Sequence, residues 1–205
     1  MFSVGRVIAV ANQKGGVGKT TTAINIAAGL AAAERKTLLI DGDPQGNASS
    51  GVGLQRGGEE PTSYDVLLDP NLAELAIVRG VQFANLDVLP SSPDLAAAEI
   101  ELAAMDGREQ RMRQAVDRLR PTYDYIVIDC PPSLGLITLN MLVAADTVLI
   151  PLQCEYYALE GLSQLIGTIA TIQQGASPSL ALEGVVLTMF DSRLNLSRQV
   201  AEDAR

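Results

Sequence analysis

The sequence contains no histidine, and this absence narrows the chemistry that is open to the chain. None of its 205 residues carries an imidazole. Imidazole general bases and Ser-His triads are excluded, and so are most zinc sites, because histidine supplies their proton transfers or their ligands. Any catalysis must therefore use groups other than imidazole.

Cysteine is scarce and positive charge is in the minority. Two cysteines, Cys130 and Cys154, cannot form a disulfide framework or a four-thiolate metal site, and we expect both to be buried free thiols in a reducing cytosol. The 15 Lys and Arg residues face 24 Asp and Glu residues, which gives a net charge of -9. This balance excludes a protein that is coated in basic residues to grip nucleic acid.

Long apolar runs are also lacking. The run nearest the N-terminus covers residues 7–11, which is too short for a signal segment or a membrane span. We therefore expect a cytoplasmic protein with no membrane partner. Because 47% of the residues are hydrophobic, the chain is expected to fold, and its length suits one α/β domain over 1–205.

Short β-rich runs alternate with longer helical stretches along the chain. The strand candidates are rich in Val, Ile and Leu without polar alternation, as is typical of strands buried on both faces. This alternation predicts an α/β fold with a mostly parallel sheet and helices on both sides, and a surface loop over 51–61. The predicted strands are 6–11, 37–41, 85–89, 125–129, 147–152 and 185–189, and the predicted helices are 21–33, 93–105, 108–119, 159–174 and 195–205.

A glycine-rich segment joins the first predicted strand to the first helix. Three glycines let successive backbone N–H groups surround a phosphate, and the positive end of the following helix adds to the attraction. The Gly-Lys-Thr at the junction places Lys19 to reach the β- and γ-phosphates and the Thr20 hydroxyl to ligate Mg²⁺. The predicted phosphate-binding residues are Lys14, Gly15, Gly16, Val17, Gly18, Lys19, Thr20 and Thr21.

Lys14 is a second lysine at the entry of a loop that departs from the general phosphate-loop pattern G-x-x-x-x-G-K-[ST], because the first glycine of the pattern is absent. A second lysine there is not needed to hold phosphates in its own site. We expect its side chain to point away from that pocket and to reach the nucleotide of a facing subunit. An ordinary surface lysine is the alternative.

Aspartates follow two of the predicted strands. Asp41 and Asp43 come after the apolar run 38–40, and Asp129 ends the run 125–128. Parallel α/β sheets bind ligands at the carboxyl edge of their strands. Carboxylates there can hold Mg²⁺-bound water or orient an attacking water. The alternatives are two solvated loop acids, for Asp41 and Asp43, and a structural residue, for Asp129.

Five segments together resemble one family, the ParA/Soj chromosome-partitioning ATPases of the deviant Walker A (MinD/ParA) group. The resemblance runs from Val7 to the end of the chain. It implies a P-loop NTPase-like three-layer α/β/α fold, with ATP and Mg²⁺ as cofactors. The segments are KGGVGKTTT (14–22), LLIDGDPQGNASSGVG (38–53), YDYIVIDCPPSLG (123–135), IPLQCEYYALEGLSQL (150–165) and LTMFDSRLNLSRQV (187–200).

The resemblance also assigns roles to individual residues. It implies that Asp43, in a switch I segment over 43–47, is needed for hydrolysis together with Lys14 and Lys19. It identifies Asp129 with the Walker B aspartate, which acts on Mg²⁺ through water, and 130–135 with switch II. It makes Arg193, and more weakly Arg198, candidates for contact with DNA without sequence preference. The arginines of 108–120 are interleaved with acids, which favours a solvated face over a DNA-binding stripe.

The function implied is that of an ATP-dependent DNA-partitioning ATPase. ATP would close a homodimer that holds non-specific DNA on the nucleoid, and a ParB-like centromere-binding partner would stimulate the otherwise weak hydrolysis. The alternatives are a ParA-like ATPase that positions another cargo, a MinD-like division-site regulator, and a truncated nucleotide-binding module without hydrolysis. Relatives continue with another strand and a terminal helix, and we expect this domain to lack them.

Overall fold

A six-stranded parallel sheet forms the centre of the molecule. The computed structural model describes residues 5–55, 60–155 and 158–203. The sheet order is β3-β2-β4-β1-β5-β6, and all neighbouring strands run parallel, which confirms the predicted sheet. The strands are β1 (Arg6–Val10), β2 (Thr37–Asp41), β3 (Leu86–Leu89), β4 (Tyr125–Asp129), β5 (Thr147–Gln153) and β6 (Ala181–Thr188).

Helices cover both faces of this sheet and enclose a separate apolar core on each. The first two helices pack on one face, and the third, fifth, sixth and seventh pack on the other, which confirms the three-layer α/β/α fold. The helices are α1 (Lys19–Ala32), α2 (Asn47–Gly51), α3 (Ser63–Leu68), α4 (Ala98–Glu101), α5 (Arg111–Leu119), α6 (Leu136–Ala144), α7 (Ala158–Gln174) and α8 (Asn195–Asp203).

Burial on both faces explains why the central strands lack polar alternation. In β2, Leu38 and Ile40 belong to one core and Leu39 to the other, and all three are inaccessible to solvent. The edge strand β6 differs, because Leu182 on it is 49% exposed. Its first half contains a glutamate, a glycine and an irregular register against β5. The predicted strand 185–189 therefore begins four residues later than the observed one.

The helices differ from the predictions in three places. The segment 93–105 is not one helix, since α4 is flanked by the 3₁₀ turns Pro93–Ala97 and Leu102–Ala104. The helix predicted from residue 108 begins at Arg111. Helices α2, α3 and α6 were not predicted. α6 is apolar on nearly every side and therefore shows no helical periodicity.

The expectation of a solvated arginine face on 108–120 is wrong for three of its arginines. Arg111 donates to two backbone carbonyls at the end of α3. Arg113 donates to the Val143 carbonyl at 2.9 Å, and Arg120 to the Asp146 carboxylate at 2.7 Å. These guanidinium groups therefore join α5 to its neighbours.

Both cysteines are free buried thiols, as predicted. Burial raises the pKa of Cys130 well above its ordinary value, which makes this thiol a poor nucleophile. None of the helices in the described ranges is long and apolar enough to cross a bilayer. The predicted loop 51–61 starts at the last residue of α2, and its residues 56–59 lie outside the described residues. The end of the helix predicted over 195–205 also lies outside them.

Candidate nucleotide-binding site

The loop between β1 and α1 is a concavity lined by backbone. Gly16 and Gly18 have φ angles of 76° and 89°, a left-handed conformation that favours glycine. Gly18 is the N-cap of α1, and no described residue places a side-chain cap on it. A Cβ on Gly15 or Gly16 would meet no described atom within 4 Å. The backbone amides at the N-terminus of α1 therefore have no side-chain cap from a described residue and face open space. Together with the positive end of the helix dipole, they can bind an anion.

Lys19, the first residue of α1, brings a buried positive charge to this loop. Its side chain is 7% exposed, and Nζ donates to the Lys14 carbonyl at 2.9 Å. Burial lowers the pKa of Lys19, while the negative charges of Asp129 and Asp43 oppose the shift. The ammonium therefore lies between the loop and two carboxylates, where a phosphate would replace a backbone carbonyl as its partner.

A cavity of about 390 Å³ opens over the loop. Most of the predicted phosphate-binding residues line it. Val17 is instead packed beneath the loop, and its carbonyl accepts a hydrogen bond from the Thr188 hydroxyl at 2.8 Å. The lining residues are Gly15, Gly16, Gly18, Lys19, Thr20, Thr21, Asp43, Gln45, Asn47, Pro132 and Met189.

Lys14 lies outside this cavity and is held by the end of β5. Its amide donates to Oδ1 of Asn12 at 3.0 Å, and Nδ2 of Asn12 donates to the Pro151 carbonyl at 2.7 Å. Its side-chain ammonium pairs with Glu155 of the same chain. Sequence reasoning missed Asn12, although an asparagine directly after a buried apolar strand was the available signal.

Asp129, at the end of β4, is a buried carboxylate without a partner. No donor in the described part of the chain bonds either of its oxygens. Burial raises the pKa of Asp129 to about 7, and the neighbouring Thr20 hydroxyl and Lys19 ammonium oppose the rise. Leaving such a group unpaired is costly, and a cation would remove the cost.

The residues around Asp129 fit one particular kind of cation. No group of three or more Cys, Asp or Glu side chains in the described ranges could hold a metal by itself. Mg²⁺ is usually bound through one or two carboxylates together with phosphate oxygens of a substrate. Asp129 and the Thr20 hydroxyl therefore fit a Mg²⁺ ion that would be bound together with a phosphate-containing ligand.

Asp41 and Asp43 are close in sequence but are placed differently. Oδ2 of Asp41 accepts the amide and the hydroxyl of Ser49 at 2.7 and 2.6 Å, and Oδ1 accepts the Asp43 amide at 3.2 Å. Asp43 is 8% exposed and lines the cavity, where its Oδ1 accepts the Gln45 amide at 2.9 Å. The solvated alternative is wrong for both. Asp41 is the anchor of the loop that carries Asp43, and its Ser49 partner was missed.

The two candidate DNA-binding arginines lie on the surface, away from the cavity lining. Arg193 follows β6, its side chain is 87% exposed, and its guanidinium pairs with Asp191 at 2.6 Å. This pair holds the pKa of Asp191 below its ordinary value. Arg198, in α8, donates to the Asn195 side chain. The structure therefore gives both arginines local polar partners and leaves Arg193 accessible.

Comparison with known proteins places this geometry in a family. The family model described as "AAA domain" matches residues 5–182. The chain is 59% identical to the chromosome partitioning protein ParA of Myxococcus xanthus (strain DK1622) over 204 residues, which cover 99% of this chain and 71% of the relative. It is 50% identical to the sporulation initiation inhibitor protein Soj of Bacillus subtilis (strain 168) over 202 residues, 98% of this chain and 79% of the relative.

A solved structure has the same fold. It is the cobyrinic acid a,c-diamide synthase of Mycobacterium smegmatis with a bound ATP analogue and magnesium. The TM-score is 0.90 and the identity 43%, over 98% of this chain and 81% of the other. Sequence identity of 59% and 50% over almost the whole chain identifies the family. The chain belongs to the ParA/Soj family of chromosome-partitioning ATPases.

Proposed function

We propose that this chain is an ATP-dependent DNA-partitioning ATPase that binds ATP and Mg²⁺ in the cavity over the glycine loop. The observation that carries the proposal is the convergence of Lys19, Thr20 and the unpartnered Asp129 on that loop. Membership of the ParA/Soj family supports the cellular role. The M. smegmatis structure, which holds an ATP analogue and magnesium, supports the choice of ligands.

Phosphate binding rests on the loop and the start of α1. The backbone amides of 15–21 and the Lys19 ammonium would surround the phosphates, and the Thr20 hydroxyl and Asp129 would hold Mg²⁺. When bound, the ion neutralises charge on the β- and γ-phosphate oxygens. The chain then needs little covalent chemistry, which agrees with its lack of histidine.

Hydrolysis rests on Asp43. Its amide is bonded to Asp41 and its carboxylate to the Gln45 amide, so its orientation is fixed before a water molecule arrives. A fixed carboxylate at the cavity wall can orient a water toward the terminal phosphate, and such positioning is the main contribution a protein makes to phosphoryl transfer. Hydrolysis stays weak until a ParB-like partner stimulates it.

Dimerisation and DNA binding rest on surface residues. The Lys14 side chain is 38% exposed and lies outside its own cavity. In an ATP-bound homodimer it exchanges Glu155 for the phosphates of the facing subunit. Arg193 and Arg198 then contact DNA phosphates from two subunits at once. Each of these contacts is electrostatic and independent of the DNA sequence. Because a dimer has twice as many of them as a monomer, ATP-dependent dimerisation would switch the affinity for DNA in the cytoplasm.

Co-sedimentation with non-specific DNA at two salt concentrations tests this function. We expect retention with ATP and Mg²⁺ that weakens at high salt, and loss of retention in Lys19→Ala. Lys36→Ala is the matched control, because this exposed lysine lies over the Tyr123 ring, 5.6 Å from its centroid, and not in the cavity. Retention of Lys19→Ala at the wild-type level, or retention without ATP, would contradict the proposal.

Light scattering and a phosphate-release assay, run beside the co-sedimentation, separate the alternatives. An ATP-dependent dimer that releases phosphate but does not retain DNA would favour a ParA-like ATPase with another cargo or a MinD-like regulator. Nucleotide binding without phosphate release, even with a partner present, would favour a binding module without hydrolysis.

A further inference from the structure

A side chain from α4 caps the first turn of α6. The Leu136 amide donates to Oε2 of Glu99 at 2.8 Å, and the Ile137 amide donates to Oε1 at 3.2 Å. Amides in the first turn of a helix have no partner within the helix. α6 begins directly after the loop 130–135, so Glu99 fixes the point at which that loop ends.

The backbone that carries Glu99 is itself firmly packed. Leu95, Ala98 and Leu102 on this segment are all inaccessible to solvent and belong to the core on the same face of the sheet as α5 and α6. Glu101, two residues further on, accepts the Tyr64 hydroxyl at 3.1 Å. The Glu99 carboxylate therefore projects from a rigid support toward α6.

Gly135 makes room for this carboxylate. Its φ and ψ angles are -83° and -169°, an extended conformation that any residue adopts. A Cβ at this position would, however, overlap the Glu99 carboxylate. Glycine at 135 therefore leaves room for the Glu99 carboxylate, which a Cβ would displace from its contact with α6.

The loop 130–135 is consequently held at both ends and touches the nucleotide cavity in between. At its start, the Cys130 amide donates to the Val10 carbonyl at 3.1 Å. Near its end, Glu99 binds α6, and the Thr138 hydroxyl donates to the Ser133 carbonyl at 2.5 Å. Pro132, between these anchors, lines the cavity. The position of Pro132 against a bound nucleotide therefore depends on where Glu99 holds the far end of the loop.

We propose that Glu99 is a positioning residue for the loop 130–135, so that its removal slows ATP hydrolysis without removing nucleotide binding. This inference rests on the proposed ATPase function. Glu99 lies outside the residues that line the cavity, and the hydrogen bonds of the phosphate loop with Lys19 and Thr188 do not involve it. A loop held less firmly spends less time in the arrangement that hydrolysis needs, since small displacements of reacting groups reduce the rate strongly.

The first test compares Glu99→Ala with Glu101→Ala, a matched control that loses a carboxylate contact of the same segment but not the contact with α6. We expect Glu99→Ala to lower the single-turnover hydrolysis rate about tenfold while the affinity for ADP, titrated with a fluorescent analogue, stays within about twofold. Glu99→Gln should be intermediate, because its amide oxygen still accepts a hydrogen bond but its charge is lost. Glu101→Ala should keep the wild-type rate. A similar loss of melting temperature in both alanine variants, with wild-type rates in both, would overturn the proposal.

A double-mutant cycle tests the contact itself. Gly135→Ala should slow hydrolysis because it displaces the Glu99 carboxylate, and it should add no further loss in the Glu99→Ala background. Independent, additive losses would show that Gly135 acts by another route and would contradict the proposal.

Amide hydrogen exchange gives a result even without hydrolysis. In Glu99→Gln we expect faster exchange at the amides of Ser133, Leu134, Leu136 and Ile137, both with and without bound ADP, and no such change in Glu101→Ala. Unchanged exchange at Ser133 and Leu134 would refute the positioning role. A wild-type protein that never hydrolyses ATP would instead refute the proposed function, so the two failures can be told apart.

Discussion

The carbonyl oxygen of Lys14 accepts a hydrogen bond from Nζ of Lys19 at 2.9 Å. The two lysines of the loop thus meet through the backbone of one and the side chain of the other. Their side chains are in different surroundings, since Lys19 lines the cavity and Lys14 pairs with Glu155 outside it. A substitution at Lys14 leaves the carbonyl in place, so the contributions of the two side chains can be measured separately.

Replacement of Lys14 by alanine should abolish ATP-dependent dimerisation and leave nucleotide affinity within about twofold of wild type, because the lost side chain lies outside the cavity. Light scattering with and without ATP, together with nucleotide titration, measures both. In the control Glu155→Gln, Lys14 is kept and a partly exposed ion pair is lost, so we expect dimerisation to persist and stability to fall by less than about 1 kcal/mol. An ATP-dependent dimer of Lys14→Ala would disprove the cross-subunit role.

Asp129 should make the nucleotide-free protein less stable as the pH rises. Its pKa in the folded state is about 7 against an ordinary value of 3.8, so between these values the folded state binds more protons than the unfolded state. The free energy of unfolding therefore falls as the pH rises through this window. Asp129→Asn should remove the effect and stabilise the nucleotide-free protein at pH 8 by on the order of 2 kcal/mol, at the expense of Mg²⁺-dependent nucleotide binding. Urea unfolding at pH 5 and pH 8 measures the difference, and lower stability of Asp129→Asn at pH 8 would contradict it.

Alanine substitutions of Asp41 and Asp43 should have different effects, the first mainly on stability and the second mainly on hydrolysis. Asp41→Ala leaves the two Ser49 donors without their buried acceptor, and we expect the free energy of unfolding to fall by about 3 kcal/mol. Asp43→Ala should lower the free energy of unfolding by less than about 1 kcal/mol, because the lost hydrogen bond to Gln45 is a local one. It should nevertheless reduce the rate of single-turnover hydrolysis about a hundredfold or more and prolong the lifetime of the ATP-bound dimer on DNA. Thermal unfolding and phosphate release distinguish them. Wild-type turnover in Asp43→Ala would remove this residue from the mechanism.

Arg193 should contribute to DNA binding in competition with Asp191. Arg193→Ala should weaken retention on DNA and lower the salt slope by about 0.9 per subunit, and Asp191→Asn should strengthen retention because it frees the guanidinium. Arg118→Ala, on the exposed side of α5, is the control for a general loss of charge. Salt titration of DNA binding gives the slopes, and equal effects of Arg118→Ala and Arg193→Ala would mean that Arg193 has no specific role.

The phosphate loop and the strand ends could be predicted from the sequence because the signals are local. Gly16, Gly18 and Lys19 are close in the chain, and their conformations follow from glycine geometry and from the strand-to-helix junction. Strands buried on both faces leave continuous apolar runs, which also placed Asp129 at the carboxyl edge of the sheet.

The contacts that hold the site in place could not be predicted, because they join distant parts of the chain. Asn12 reaches Pro151, and Glu99 reaches Leu136, across 139 and 37 residues respectively. Neither pair has a motif, and either polar residue could equally have been a solvated side chain. The difference between Asp41 and Asp43 likewise arises from Ser49, whose hydroxyl is directed by the fold of α2.

The hydrogen bond from Thr188 to the Val17 carbonyl joins β6, one of the two edge strands of the described sheet, to the phosphate loop. An edge strand has a neighbour on one side only and frays more readily than the strands inside a sheet. The geometry of the loop therefore depends in part on one of the least protected elements of the fold. On warming, nucleotide affinity should decline when β6 begins to fray, at a temperature below that at which the two cores unfold.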